Sequence, residues 1–122
     1  MNKKGHTEDF TLDDYADSIN NYIGAERIDF VTFNIKKPDR RLIERYESQQ
    51  ELLIRFNEAD RGKRRYQIIR ADMLSHAKPR YAKSDSLSAQ RALIRHDSDR
   101  LAKTLMMILE LVDYRNIVKD II

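Results

Sequence analysis

The sequence predicts a mainly helical fold with one short strand. Three observations point there. Apolar residues recur at three- and four-residue spacing over most of the chain, as they do on amphipathic helices. Only one stretch, Val31 to Lys36, alternates apolar and polar side chains. With 3 glycines and 2 prolines in 122 residues, the chain lacks the turn formers of an all-β fold. The alternative is an all-α helical bundle in which residues 27–35 are an extended linker.

The first ten residues, Met1 to Phe10, are polar and read as a mobile tail. Thr11 is placed to cap a helix, with Asp14 three residues on as the second half of a capping box. Leu12, Tyr15, Ile19 and Tyr22 carry the helical period, and Gly24 supplies a stop. A helix over 12–23 follows, with Asp13, Asp14 and Asp17 near its positive dipole end. Arg27 to Ile35 is the strand. Val31, Phe33 and Ile35 point to one side of it, and Thr32, Asn34 and Lys36 to the other. A lone strand cannot satisfy its own backbone groups, so its simplest partner is the same strand of another copy in an antiparallel ribbon.

Pro38 suits the first turn of a helix. Leu42, Tyr46, Gln49, Leu53 and Phe56 then mark one face of a helix over 39–56, widened by Ile43 and Leu52. Asn57 to Gly62 reads as a break. Tyr66, Ile69, Met73 and Ala77 mark a further helix over 63–77, although one continuous helix from 39 to 77 fits the same pattern. Lys78 to Ser86, with Pro79 and no apolar period, is a linker. Leu87 to Val118 reads as a last helix. Its seam of Leu87, Ile94, Leu101, Leu105, Ile108 and Val112 is close to a heptad repeat, and its second half is apolar nearly all round. The expected organisation is thus an acidic tail and short helix over 1–26, a strand-helix-helix unit over 27–78, a linker over 79–86 and an oligomerising helix over 87–122. Leu101, Leu105, Ile108 and Val112 are the expected oligomer contacts.

Charge is unevenly spread. Residues 1–30 carry 3 basic and 7 acidic side chains, residues 31–83 carry 14 and 7, and residues 84–122 carry 6 of each. Cation concentrated in the middle is the electrostatic footprint of a nucleic-acid contact, and equally of a solvated helical surface. With no cysteine there is no disulfide framework and no thiolate site. No apolar run reaches the roughly 20 residues that span a bilayer. The first residues hold no apolar core of a secretory signal. These features together fit a cytoplasmic protein without a membrane contact.

The run Phe33-Asn34-Ile35-Lys36-Lys37-Pro38, the helix after it, the glycine-containing turn and Ile68-Ile69-Arg70-Ala71-Asp72-Met73-Leu74 resemble the ribbon-helix-helix family of DNA-binding proteins over residues 31–77. The resemblance implies a homodimer, or a higher homo-oligomer, that lays a β-ribbon in the major groove of double-stranded DNA. It implies base contacts from Thr32, Asn34 and Lys36. It implies phosphate contacts from Lys37, and from Gly62, Lys63, Arg64 and Arg65 around the start of the second helix. The chain departs from the family in a longer first helix, an uncapped second one and two helices outside the match.

Catalytic and metal chemistry finds little footing. His96 and Asp99 could share a helix face, but the other histidines, His6 and His76, are distant in sequence. Arg61-Gly62-Lys63-Arg64-Arg65 lacks the upstream glycine and the following Ser or Thr of a phosphate-binding loop. Met106 and Met107 suit a core more than an adaptable binding face. No nucleophile has a base and an orienting group near it in sequence. The expectation is a non-enzymatic protein without cofactors: a small DNA-binding repressor or a plasmid or phage accessory factor. Alternatively it is a helical interaction module, such as an adaptor, complex subunit or inhibitor, that meets an acidic protein partner.

Overall fold

The computed structural model describes residues 1–55, 57–77, 83–84 and 93–121, of which residues 60 and 61 are described in their backbone alone. The fold is a mixture of helix and strand. In chain order it runs α1 (Leu12–Ile23), β1 (Phe30–Asn34), α2 (Arg40–Glu47), a 3-10 turn (Glu58–Lys63), β2 (Gln67–Ala71) and the long α3 (Ser98–Ile121). The chain divides into two compact units, Met1–Phe33 with Pro38–Arg70, and Asn34–Lys37 with Ala71–Ile122.

In the first unit α1 forms where the sequence places it. The Asp14 N–H donates to Thr11 Oγ1 at 3.3 Å, and the Thr11 N–H donates back to Asp14 Oδ2 at 2.7 Å, closing the capping box. Gly24 ends the helix at φ 81°, a left-handed conformation that costs glycine little. Leu12 and Ala16 are buried on its inner side.

The first ten residues are not a loose tail. Asn2 is only 4% exposed. Its backbone N–H donates to Leu52 O, its side-chain amide donates to Phe10 O, and its Oδ1 accepts from the Tyr15 hydroxyl. Phe10 packs edge-on against Tyr15, with ring centroids 5.3 Å apart. A buried polar side chain with both ends satisfied is a fixed point of a fold.

The helix expected over 39–56 stops at Glu47. Glu51 N–H donates to Tyr46 O and Gln50 N–H to Glu47 O, the paired bonds of a Schellman stop. Gln50 holds the left-handed position at φ 60°, which glycine more often fills. Leu52 to Ile54 then run outside any helix, and Arg55 bridges in parallel to Thr11. Phe56, expected on the same helical face, lies outside the described residues.

The break over 57–62 is real but takes the form of a 3-10 turn. Asn57 caps it by accepting from Ala59 N–H at 3.0 Å. Gly62 is not among the positive-φ residues there.

The largest correction concerns residues 63–77. They hold a strand, β2, and not a helix. Gln67 N–H donates to Asp29 O at 2.8 Å, and further on Ile35 N–H donates to Ala71 O at 3.1 Å. The contacts advance in the same direction on both strands, so the sheet is parallel. The intervening α2 and 3-10 turn supply the crossover that parallel strands require. β1 therefore has a partner within its own chain. That parallel pair is unlike the antiparallel ribbon expected between two copies. Adjacent Ile68 and Ile69 beside Tyr66 explain the outcome, because β-branched and aromatic side chains favour a half-buried pleated surface.

The second unit is built on α3. Its buried residues are Met73 and Leu74 and, on the helix, Thr104 and Ile108. Leu74 bridges antiparallel to His96, flanked by Ser75 N–H to Arg95 O and Asp97 N–H to Met73 O. Asp97 Oδ1 accepts the Arg100 N–H at 3.0 Å and starts the helix. The last helix therefore begins at Ser98. Ile94, expected on its seam, precedes it, and Leu87 and most of the expected linker lie outside the described residues. No helix among the described residues is long and apolar enough to cross a membrane.

Candidate functional site

α3 has 24 residues and a length of about 36 Å at the usual rise. Successive residues turn by about 100°, so residues three and four apart share a face. The face turned to its own unit is Leu101, Thr104, Ile108 and Val112, the central two buried and the outer two half-buried. Thr104 Oγ1 donates to Arg100 O at 2.8 Å, which lets a hydroxyl sit inside. Leu105, expected in this seam, is 48% exposed against 8% for Ile108. The seam is rotated from the expected one, with Thr104 in place of Leu105.

Two apolar stripes flank the covered face. Leu105 and Leu109, with Met106 beside them, lie on one side. Met107, Leu111, Tyr114, Val118 and Ile121 lie on the other. All of these are exposed except Val118, which is half-buried, and Ile121 reaches 77%. This second stripe follows a 4-3-4-3 spacing that could have been read in the sequence. It was obscured because the helix is apolar on so many sides that several seams compete.

The expected base-contact residues are not presented as a readable row. Asn34 Oδ1 accepts both the Lys36 and the Met73 backbone N–H, each at 3.2 Å. A bidentate contact to adenine needs that oxygen as well as the amide nitrogen, so the side chain is committed to holding the end of β1. Thr32 is half-buried and Lys36 is exposed.

The expected phosphate contacts divide. Lys37, Gly62 and Lys63 are exposed, but Gly62 and Lys63 lie in a 3-10 turn and do not open an α-helix. Arg65 pairs with Glu26. Arg64 turns inward, its side chain only 5% exposed. Its guanidinium grips both oxygens of Asp13 at 2.7 and 2.8 Å and donates to Asn57 O at 2.8 Å. The Tyr66 hydroxyl donates to the same carboxylate.

The electrostatics of this clamp follow from the contacts. Hydrogen bonding from Arg64 holds the Asp13 carboxyl below its usual range, against the opposing effect of burial. The same bond raises Arg64 further above its ordinary value. Burial, then the bond to Asp13, pushes the Tyr66 phenol up to about 12. The arrangement ties α1 to the segment entering β2. It was missed because its members are 51 and 53 residues apart.

Neither the models of known protein families nor the curated proteins give a match to this sequence. Among the described residues, no group of three or more His, Cys, Asp or Glu could hold a metal ion. His96 is exposed, and Asp97 is spent on the start of α3.

Proposed function

We propose that this chain is a non-enzymatic assembly protein that joins other protein through α3. The observation that carries the reading is the large apolar surface the helix exposes on both sides of its covered face. Scattered exposed leucines are ordinary, but a contiguous apolar surface along one element marks an interaction site. A membrane-surface helix would instead pair one apolar face with a strongly charged one rich in Lys and Arg. The polar residues of α3 are of both signs and distributed among its faces.

Replacing Met107, Leu109 and Leu111 together by Gln tests the reading. The variant should remain folded by circular dichroism, because those side chains are not part of the core. An unfolded variant would mean that the surface is packed within the chain and would remove the proposal.

A second reading is contact with a nucleic-acid backbone without base readout. The observation favouring it is the excess of cation over residues 31–83, with Lys36, Lys37, Arg41, Arg45 and Lys63 exposed. Binding of random duplex DNA that falls as salt rises would support it. No binding at low salt would dismiss it.

A further inference from the structure

On the reading of α3 as an assembly surface, we infer that its partner is a second copy of this chain, parallel and in register. The contact is the stripe Met107, Leu111, Tyr114, Val118 and Ile121. Its spacing is that of alternating d and a positions in a heptad, with Leu111 and Val118 at a. The stripe keeps to one face through two heptads, and its members are exposed or half-buried in the single chain.

The competing stripe does not continue. Beyond Leu105 and Leu109, its next turns carry Asn116, with Asp113 and Asp120 between that line and the exposed Ile117. An apolar partner helix following it would be forced to bury carboxylates, which is costly. The Met107 stripe meets no carboxylate on its own line.

Charge identifies the occupant. In this register Glu110 is a g position and Arg115 is the e position five residues later, and both are exposed. In a parallel two-stranded coiled coil, a g residue faces the e residue five places on in its partner. Glu110 of each copy then faces Arg115 of the other, and the two-fold axis makes the pair twice. An antiparallel arrangement sets g against g and e against e, which loses this match. The helix is complementary to itself in one orientation, which an unrelated partner would not require.

The absence of cysteine gives a clean background for testing orientation. Leu111→Cys and Val118→Cys, made separately in the full chain, should each give a disulfide-linked dimer with copper phenanthroline as oxidant. The matched a positions of parallel helices lie side by side. Asp113→Cys, on the outer side of the helix, should link at least tenfold more slowly. Sedimentation equilibrium should show twice the chain mass at micromolar concentration. Glu110→Arg or Arg115→Glu alone should weaken association about tenfold, and the double exchange should restore it. Linking at one a position but not the other would indicate antiparallel helices and overturn the inference. So would linking as fast through Cys at 113, or failure of the double exchange to rescue. A monomer throughout the concentration range would remove the second copy as partner. In that case a folded Gln triple variant would still leave α3 an assembly surface for a different protein, so the two readings fail separately.

Discussion

At Arg64 a cation that the sequence places in a basic run becomes part of a folded clamp. Its guanidinium satisfies both Asp13 oxygens and the Asn57 carbonyl. Arg64→Ala would leave those acceptors to water or unpaired. The expected loss is about 1–3 kcal/mol, moderated because Asp13 is one-third exposed. Lys37→Ala, at an exposed position, should change stability by less than about 0.5 kcal/mol. Urea unfolding of the two variants checks the contrast, and equal losses would show that Arg64 has no special hold. The clamp also sets a pH response. Because the folded Asp13 carboxyl titrates below its unfolded value, its stabilisation is present above the unfolded pKa and lost as pH falls through the folded one. Tyr66 gives the opposite edge. Its folded pKa of about 12 exceeds the ordinary 10.0, so the unfolded chain releases that proton first. Stability should therefore fall between pH 10 and 12, and Tyr66→Phe should flatten that limb of a thermal-midpoint profile. An unchanged alkaline limb in Tyr66→Phe would place the alkaline loss elsewhere.

Among the elements, legibility follows how local the determining interactions are. α1 was readable to the residue because its cap, its apolar period and its glycine stop all lie within 11–24. The end of α2 was not, because its left-handed stop falls on Gln50, and nothing about a glutamine announces that conformation. β2 is ambiguous in the sequence because Tyr66, Ile69, Met73 and Ala77 fit a helical stripe while Tyr66, Ile68 and Ile69 suit a strand, and a short apolar run does not decide between them. What decides is β1, more than thirty residues earlier, which offers β2 a ladder of backbone partners. In α3 the helical character and the wide apolar surface were legible, but the side that faces its own unit was not. That choice is made by the rest of the unit, whose backbone is tied just before α3 by the Leu74–His96 bridge, and not by the spacing of the helix itself. The rotated seam yields a sharp contrast. Ile108→Ala should cost about 2–4 kcal/mol as a core truncation. Leu105→Ala should cost less than about 1 kcal/mol, and even Leu105→Asp should leave the chain folded. Calorimetry of these variants decides, and a larger loss for Leu105 than for Ile108 would restore the unrotated seam.

For the molecule as a whole, the segregation of charge along the sequence does not survive as segregation in space. Asp13 and Glu26 from the acidic first thirty residues engage Arg64 and Arg65 of the basic middle, and Glu51 of that middle engages Lys3. The two units are also interleaved in sequence, with Asn34–Lys37 belonging to the C-terminal one, so a division into consecutive segments could not find them. Both facts weaken the argument from a basic stretch to a DNA-reading surface, since part of the cation is already balanced by carboxylates within the first unit. Exposed pairs such as Arg65 with Glu26 exchange readily with other anions in water. Lys36 and Lys37 remain at the surface to meet phosphate. The consequence is a definite binding pattern. Affinity for duplex DNA should be nearly equal for unrelated sequences and should decline with the logarithm of salt concentration, more gently than for a protein that neutralises many phosphates. Asn34→Ala should lower thermal stability, because two backbone N–H groups lose their acceptor, without altering preference among sequences. Competition between random duplexes across a salt series, made on the parent and on Asn34→Ala, measures all three quantities. A strong preference for one duplex that disappears with Asn34 would mean that β1 leaves β2 to enter the groove, and that the paired sheet is not the state that binds DNA.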